Sequence, residues 1–299
     1  MYLLLPLCSS VLVVFGLTFL KEAQERGASA WTATIAMCWA SAVIFPLLVL
    51  MGGTMQPLSM LWQPAVIGGL FVAGQLFTLL AVKYGDVSIA APVQGVKVLL
   101  VPVAMILVLG VMPSGAVWIA AVIAMFGIAC VQTSDATVHR GKVLTSVLLA
   151  FLGSVSMTIF DLLIQSWAPA WQAGYFLPLS FAFAALLATV LLCPWMDSPK
   201  AILGNRHWHV PLLLGSALMA LQAIGMTFTL AQFGDATRVN IVYSLRGIWG
   251  VAITWLLLSR RAKRAEIPYV GPSHRVMRMR LTGAVLIGVS VVLAITAGK

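Results

Sequence analysis

Lys97 and Arg246 lie where a cation is costly. They sit in the apolar stretches "APVQGVKVLLVPVAMILVLG" (residues 91–110) and "NIVYSLRGIWGVAITWLLL" (residues 240–258). Each is roughly ten residues, or about 15 Å of helix, from the ends of its span. A charge at that depth costs about 2.5–3.5 kcal/mol even on lenient insertion scales, and escape to the interface by snorkelling is poor. It is tolerable where the side chain faces the interior of a helical bundle and meets water, a partner or a ligand. Residues three apart share a helix face, so Gln94 stands beside Lys97 and Tyr243 beside Arg246, with Ala91 and Asn240 extending the two stripes. Gln75 and Gln222 are further polar candidates for the same interior. Asp161 is the one acid placed well inside an apolar stretch; Glu22, Glu25, Asp86, Asp135, Asp197, Asp235 and Glu266 lie near loops or helix ends. Asp161 can pair with Lys97 or with Arg246, and either choice leaves positive charge unmatched. Such a set offers binding of an organic anion, a carboxylate or a phosphate, with Asp161 in a coupling or gating role.

The elements that must hold these residues follow from composition. The chain is 61% hydrophobic and 9% charged, with mean hydropathy +1.03, outside the range of soluble domains. A spanning helix needs about 20 mostly apolar residues. The sequence predicts ten, near 2–20, 31–51, 64–82, 88–109, 114–132, 143–164, 173–193, 210–232, 238–258 and 280–297. The fold class is therefore an all-α membrane protein. "MYLLLPLCSSVLVVFGLTFL" lacks the basic start and cleavage site of a secretory signal and reads as the first span. The net charge of +10 is concentrated in the odd-numbered loops, above all in "RRAKRAEIPYVGPSHRVMRMR". Cytoplasmic loops attract Lys and Arg, so those loops are expected in the cytoplasm and both termini outside. The basic ninth loop reads as a topology anchor on anionic lipid, with no nucleic-acid partner.

An internal repeat orders the spans. "VKYGDVS" (82–88) matches "AQFGDAT" (231–237), and continuing without a gap sets Gln94 opposite Tyr243 and Lys97 opposite Arg246. Earlier, "GASAW" (27–31) matches "WAPAW" (167–171), and in that register Lys21 falls opposite Asp161. The unit spans five helices, giving a first repeat over residues 1–137 and a second over 138–299 in one membrane domain. An odd count makes the second copy enter the membrane from the opposite side. Two copies so related form an inverted repeat, an arrangement of secondary transporters with the solute site near the midplane.

Other features weigh less. Pro92 and Pro102 remove backbone hydrogen bonds from the fourth span and favour a kink; Pro46 and Pro178 lie in the second and seventh. Gly85-Asp86 and Gly234-Asp235 fit tight turns. Trp31, Trp62, Trp171 and Trp208 read as interface anchors. Cys8, Cys38, Cys130 and Cys193 show no paired spacing, and "HWH" (207–209) has no carboxylate or thiol cluster beside it. No metal and no cofactor are expected. Nothing resembles a nucleophile–base pair or paired catalytic carboxylates, so an enzyme is not expected either.

The chain resembles the EamA-type ten-helix branch of the drug/metabolite transporter superfamily. "LAVKYGDVSIAAPVQGVKVLLVPV" and its echo "LAQFGDATRVNIVYSLRGIWGV" carry the resemblance. It implies a central cavity lined by the third, fourth, eighth and ninth helices, worked by alternating access on amino acids, nucleotide sugars, sugar phosphates, drugs or other metabolites. Phosphate-handling relatives use basic residues on the fourth and ninth helices, where Lys97 and Arg246 sit. The loop "GVMPSG" lacks the family's usual acid after the fourth helix, and the family's usual topology has its termini inside. The expectation is a multi-pass protein of the bacterial inner membrane that moves a small anionic metabolite. Its partners would be that solute, lipid, and a coupling proton or counter-substrate, with the chain a monomer or homodimer. The alternatives are an exporter of amino acids or amphipathic drugs, or a scaffold whose buried charges are structural.

Overall fold

A backbone in hydrocarbon must satisfy its own hydrogen bonds, which leaves a spanning chain either helices or a closed barrel, and long continuous apolar runs such as these suit helices. The computed structural model describes residues 2–84, 93–133, 143–198, 200, 206–253 and 273–296, and every regular element among them is helical. The α-helices are α1 (Leu4–Glu25), α2 (Ala30–Ile44), α3 (Trp62–Tyr84), α4 (Lys97–Ala104) and α5 (Gly115–Val131), then α6 (Val143–Trp171), α7 (Ala173–Leu192), α8 (His209–Phe233), α9 (Ala236–Tyr243) and α10 (His274–Thr296). Seven helical segments are long and apolar enough to cross a membrane, while Val93–Leu109 and Gly115–Val131 are shorter apolar helices. The sites Gly85, Asp86, Ala91, Pro92, Asp135, His139 and Glu266, and most of the basic ninth loop, fall outside the described residues.

Local chemistry sets the ends. Ser29 caps α2 by accepting from Thr32 N at 3.1 Å. Gly234 closes α8 at φ 62°, and Asp235 caps α9 by accepting from Arg238 N at 3.3 Å. The second Gly-Asp pair is thus a C-cap followed at once by an N-cap.

Several elements depart from the sequence-predicted spans. The sixth runs seven residues further, through Pro169 to Trp171. There Trp171 is fully buried and its indole N–H donates to Gln63 Oε1 at 2.9 Å. Trp208 is also buried. Neither is an interface anchor: each packs into the bundle, where a large apolar ring gains more than at its rim. Trp62 does face outward, edge-on to Trp167. α10 begins six residues before 280, so Arg275, Arg278 and Arg280 ride on its first turns. The second span ends in a 3-10 helix, Phe45–Met51, opened by Pro46. Behind Pro102, α4 widens into a π-helix over Met105–Leu109, the sort of disturbance a missing donor produces.

The helices pack in matched sets. α1 lies along α8 and α6 along α3; α3 also packs on α7, and α8 on α2. α2 meets α7, α5 meets α10, and α4 meets α9. In lipid the hydrophobic effect does not drive helices together, so close backbone approach must. A Cβ on Gly215 would stand 3.1 Å from the Gly16 carbonyl oxygen, and one on Gly283 would stand 2.5 Å from that of Gly127. A cluster of Phe45, Phe71, Phe160 and Phe181 joins α3, α6 and α7, with Phe45 and Phe181 stacked.

Candidate functional site

Both deep cations sit at a tightened turn. Val96 N donates to Val93 O at 3.1 Å and Leu99 N to Val96 O at 2.9 Å; Leu245 N donates to Val242 O at 3.1 Å and Ile248 N to Leu245 O at 2.9 Å. The ladder step drops from four residues to three just before Lys97 and just before Arg246. In the second case Ser244 Oγ donates to the Ile241 carbonyl oxygen at 2.6 Å, a side-chain bond that competes with the helix ladder. The predicted ninth span is therefore two pieces, α9 and a second helical run over 246–253, meeting at the charged residue.

Lys97 Nζ lies 2.7 Å from Asp161 Oδ2, in a pair whose side chains are 13% and 3% exposed. Asn240 Nδ2 donates to the same oxygen at 2.7 Å and to Ala236 O at 2.9 Å. Asp161 therefore accepts from two donors on two different helices. A buried acid held this way keeps its partners only while all of them remain. Arg246 has no such arrangement. Its guanidinium carbon stands 4.8 Å from the centre of the Tyr243 ring, and no carboxylate among the described residues is within ion-pair distance of it. Tyr243 Oη donates to Gln222 Oε1 at 2.9 Å, which aims the ring beneath the guanidinium.

These groups surround one cavity. It offers about 90 Å³ to the centres of water molecules, well above what a single water needs. Gln75, Gln94, Lys97, Asp161, Gln222, Tyr243 and Arg246 all line it. Gln94 Nε2 is buried with no partner, a donor left open beside the two cations. Asn240 is not among the residues of the cavity wall; it donates to Asp161 from behind. Sequence reasoning missed the apolar half of the cavity, formed by Phe71, Met157, Phe160, Met219 and Met226. Methionine and phenylalanine at helical spacing look the same in any core, so only the fold distinguishes them.

One end of the bundle is sealed. All eight residues of α9 are buried. Tyr2 Oη donates to Asp235 Oδ2 at 2.7 Å, Arg238 pairs with the same oxygen at 3.0 Å, and Arg238 Nε donates to Ala294 O at 2.8 Å. These bonds tie the start of α1 to α9 and to the end of α10. Gln165 Oε1 accepts from Ala236 N at 3.1 Å and adds α6 to the seal.

Comparison with known proteins agrees with this architecture. A solved structure titled "Crystal structure of protein" has 16% identity and a TM-score of 0.64, over 98% of this chain and 96% of that one; at that identity it speaks for the fold alone. No curated protein matches the sequence. Residues 1–133 match the EamA-like transporter family, whose members are transporters and not enzymes. That match covers the first five apolar helices and supports a place for the chain beside the EamA-like transporters of the drug/metabolite transporter superfamily.

Proposed function

We infer that the protein is a secondary transporter of a small organic anion, bearing a carboxylate or phosphate, across the bacterial inner membrane. Arg246 carries the reading: a deep guanidinium faces a cavity and meets no carboxylate among the described residues. A charge in that position is stabilised when an anion enters. Lys97, through its remaining protons, and the open Gln94 amide supply further donors, and the phenylalanine and methionine wall takes the solute's apolar part.

The mechanism is alternating access of two inverted halves, 1–137 and 138–299. Two observations support it. The shortened turns at Val93, Val96 and Leu99 recur at Val242, Leu245 and Ile248, in the register that sets Lys97 opposite Arg246. The packing pairs also exchange under that correspondence, α1 with α8 for α6 with α3, and α3 with α7 for α8 with α2. The sealed end at Tyr2, Asp235 and Arg238 would open as the cavity closes on its other side.

The test is uptake of organic anions into proteoliposomes. Arg246→Gln should reduce flux by about tenfold or more, the equivalent of one charge-assisted contact, while gel filtration and helical signal stay as in the wild type. Full flux in a folded Arg246→Gln protein would refute the reading, and loss of assembly in both Arg246→Gln and Lys97→Gln would favour a structural role.

A further inference from the structure

The charge count of the cavity bears on which anion it suits. Among the described residues, three side chains of ordinarily charged type line it, Lys97, Asp161 and Arg246. The Lys97–Asp161 pair, 2.7 Å apart, sums to zero whichever atom holds the shared proton. Arg246 is left, so the cavity carries a single net positive charge. We propose that Asp161 sets the valence of the solute, matching the site to an organic monoanion and against a dianion. This rests on the anion-transport reading above and narrows it.

A monoanion beside Arg246 leaves the occupied cavity neutral. A dianion leaves it with a net negative charge in a low-dielectric surround, where an uncompensated charge is costly. A dianion would escape that cost only by taking Lys97 away from Asp161. The packing opposes this. Asp161 is 3% exposed, and Asn240 holds it from behind while being anchored itself on Ala236 O. A carboxylate pulled off Lys97 would stay buried next to the incoming charges. Space alone does not discriminate. Four-carbon acids with one carboxylate and with two have the same chain length and nearly the same bulk.

Butyrate and succinate therefore form the test pair, alike in chain length and carrying one and two charges near neutral pH. Binding is measured by isothermal titration calorimetry on the purified full-length protein. The wild type should prefer butyrate by about tenfold or more, the scale on which like-charge juxtaposition acts. Asp161→Asn frees Lys97, raises the cavity to two positive charges, and should reverse the preference toward succinate. Lys97→Gln leaves Asp161 facing Arg246 and should weaken both anions. The double variant Lys97→Gln/Asp161→Asn returns the count to one and should restore the preference for butyrate. If Asp161→Asn does not fold, the comparison of Lys97→Gln with the double variant still decides, since recovery of binding on removing an acid is not expected of a structural residue.

Succinate preferred by the wild type, or an unchanged preference in folded Asp161→Asn, overturns the valence assignment and leaves the anion reading standing. No binding of either acid by the wild type, or binding of both that survives Arg246→Gln, overturns both.

Discussion

At the scale of single residues, the polar groups in the cavity wall do different work, and their chemistry separates them. Lys97 and Arg246 fall in the same register of two matching sequence stretches yet are unlike in company, one paired at 2.7 Å and the other stacked on a ring. The sequence announces both, because a permanent charge in an apolar stretch is conspicuous. It leaves Asp161 with two possible partners, and only the placement of α6 against α4 chooses Lys97. Spacing alone does not place Asn240: a residue on the same stripe can stand one layer behind the wall, as Asn240 does behind Asp161. Asn240→Ala removes one of the two donors on Asp161 Oδ2. A hydrogen bond to a charged group contributes about 1.5–3 kcal/mol, so thermal denaturation should show a loss of that order. The preference between monoanion and dianion should keep its direction, since no cavity charge changes, but narrow, since Asp161 is then held less firmly on Lys97. An unaltered melting point would mean that Asn240 does not hold the acid.

At the scale of elements, hydropathy locates most spans and says little about how their ends or interruptions are made. The extension of α6 past Pro169, the early start of α10 and the break ahead of Arg246 go with particular contacts: Trp171 on Gln63, Val276 N on the Ser273 hydroxyl, Ser244 on Ile241. None of these has a periodic signature. The same holds for the close crossings. Gly283 faces the backbone of α5, whereas Gly288, one turn and a half along the same helix, has nothing within 4 Å of where a Cβ would be. Gly283→Ala should destabilise the protein by about 1–3 kcal/mol, as overpacking does, and Gly288→Ala should be neutral or better. Equal melting points for the two variants would contradict the α5–α10 crossing.

At the scale of the whole molecule, a basic set of odd-numbered loops and an end tied together by Tyr2, Asp235 and Arg238 accompany a cavity lined by Lys97, Asp161 and Arg246. The loop charges predict both termini outside. After Cys8 and Cys193, which are both exposed, are replaced by serine, an impermeant maleimide added to whole cells should label Met55→Cys and spare Lys200→Cys. The opposite pattern would invert the protein in the membrane without altering its cavity. The most direct measurement of the central claim is a thermal-shift screen of the purified protein against organic anions, cations and neutral solutes, with wild type and Arg246→Gln side by side. A ligand that binds the folded state raises its melting temperature by mass action. Stabilisation by anions alone, abolished in Arg246→Gln, is the result predicted here; stabilisation by cations, or an anion response that persists without Arg246, would contradict it.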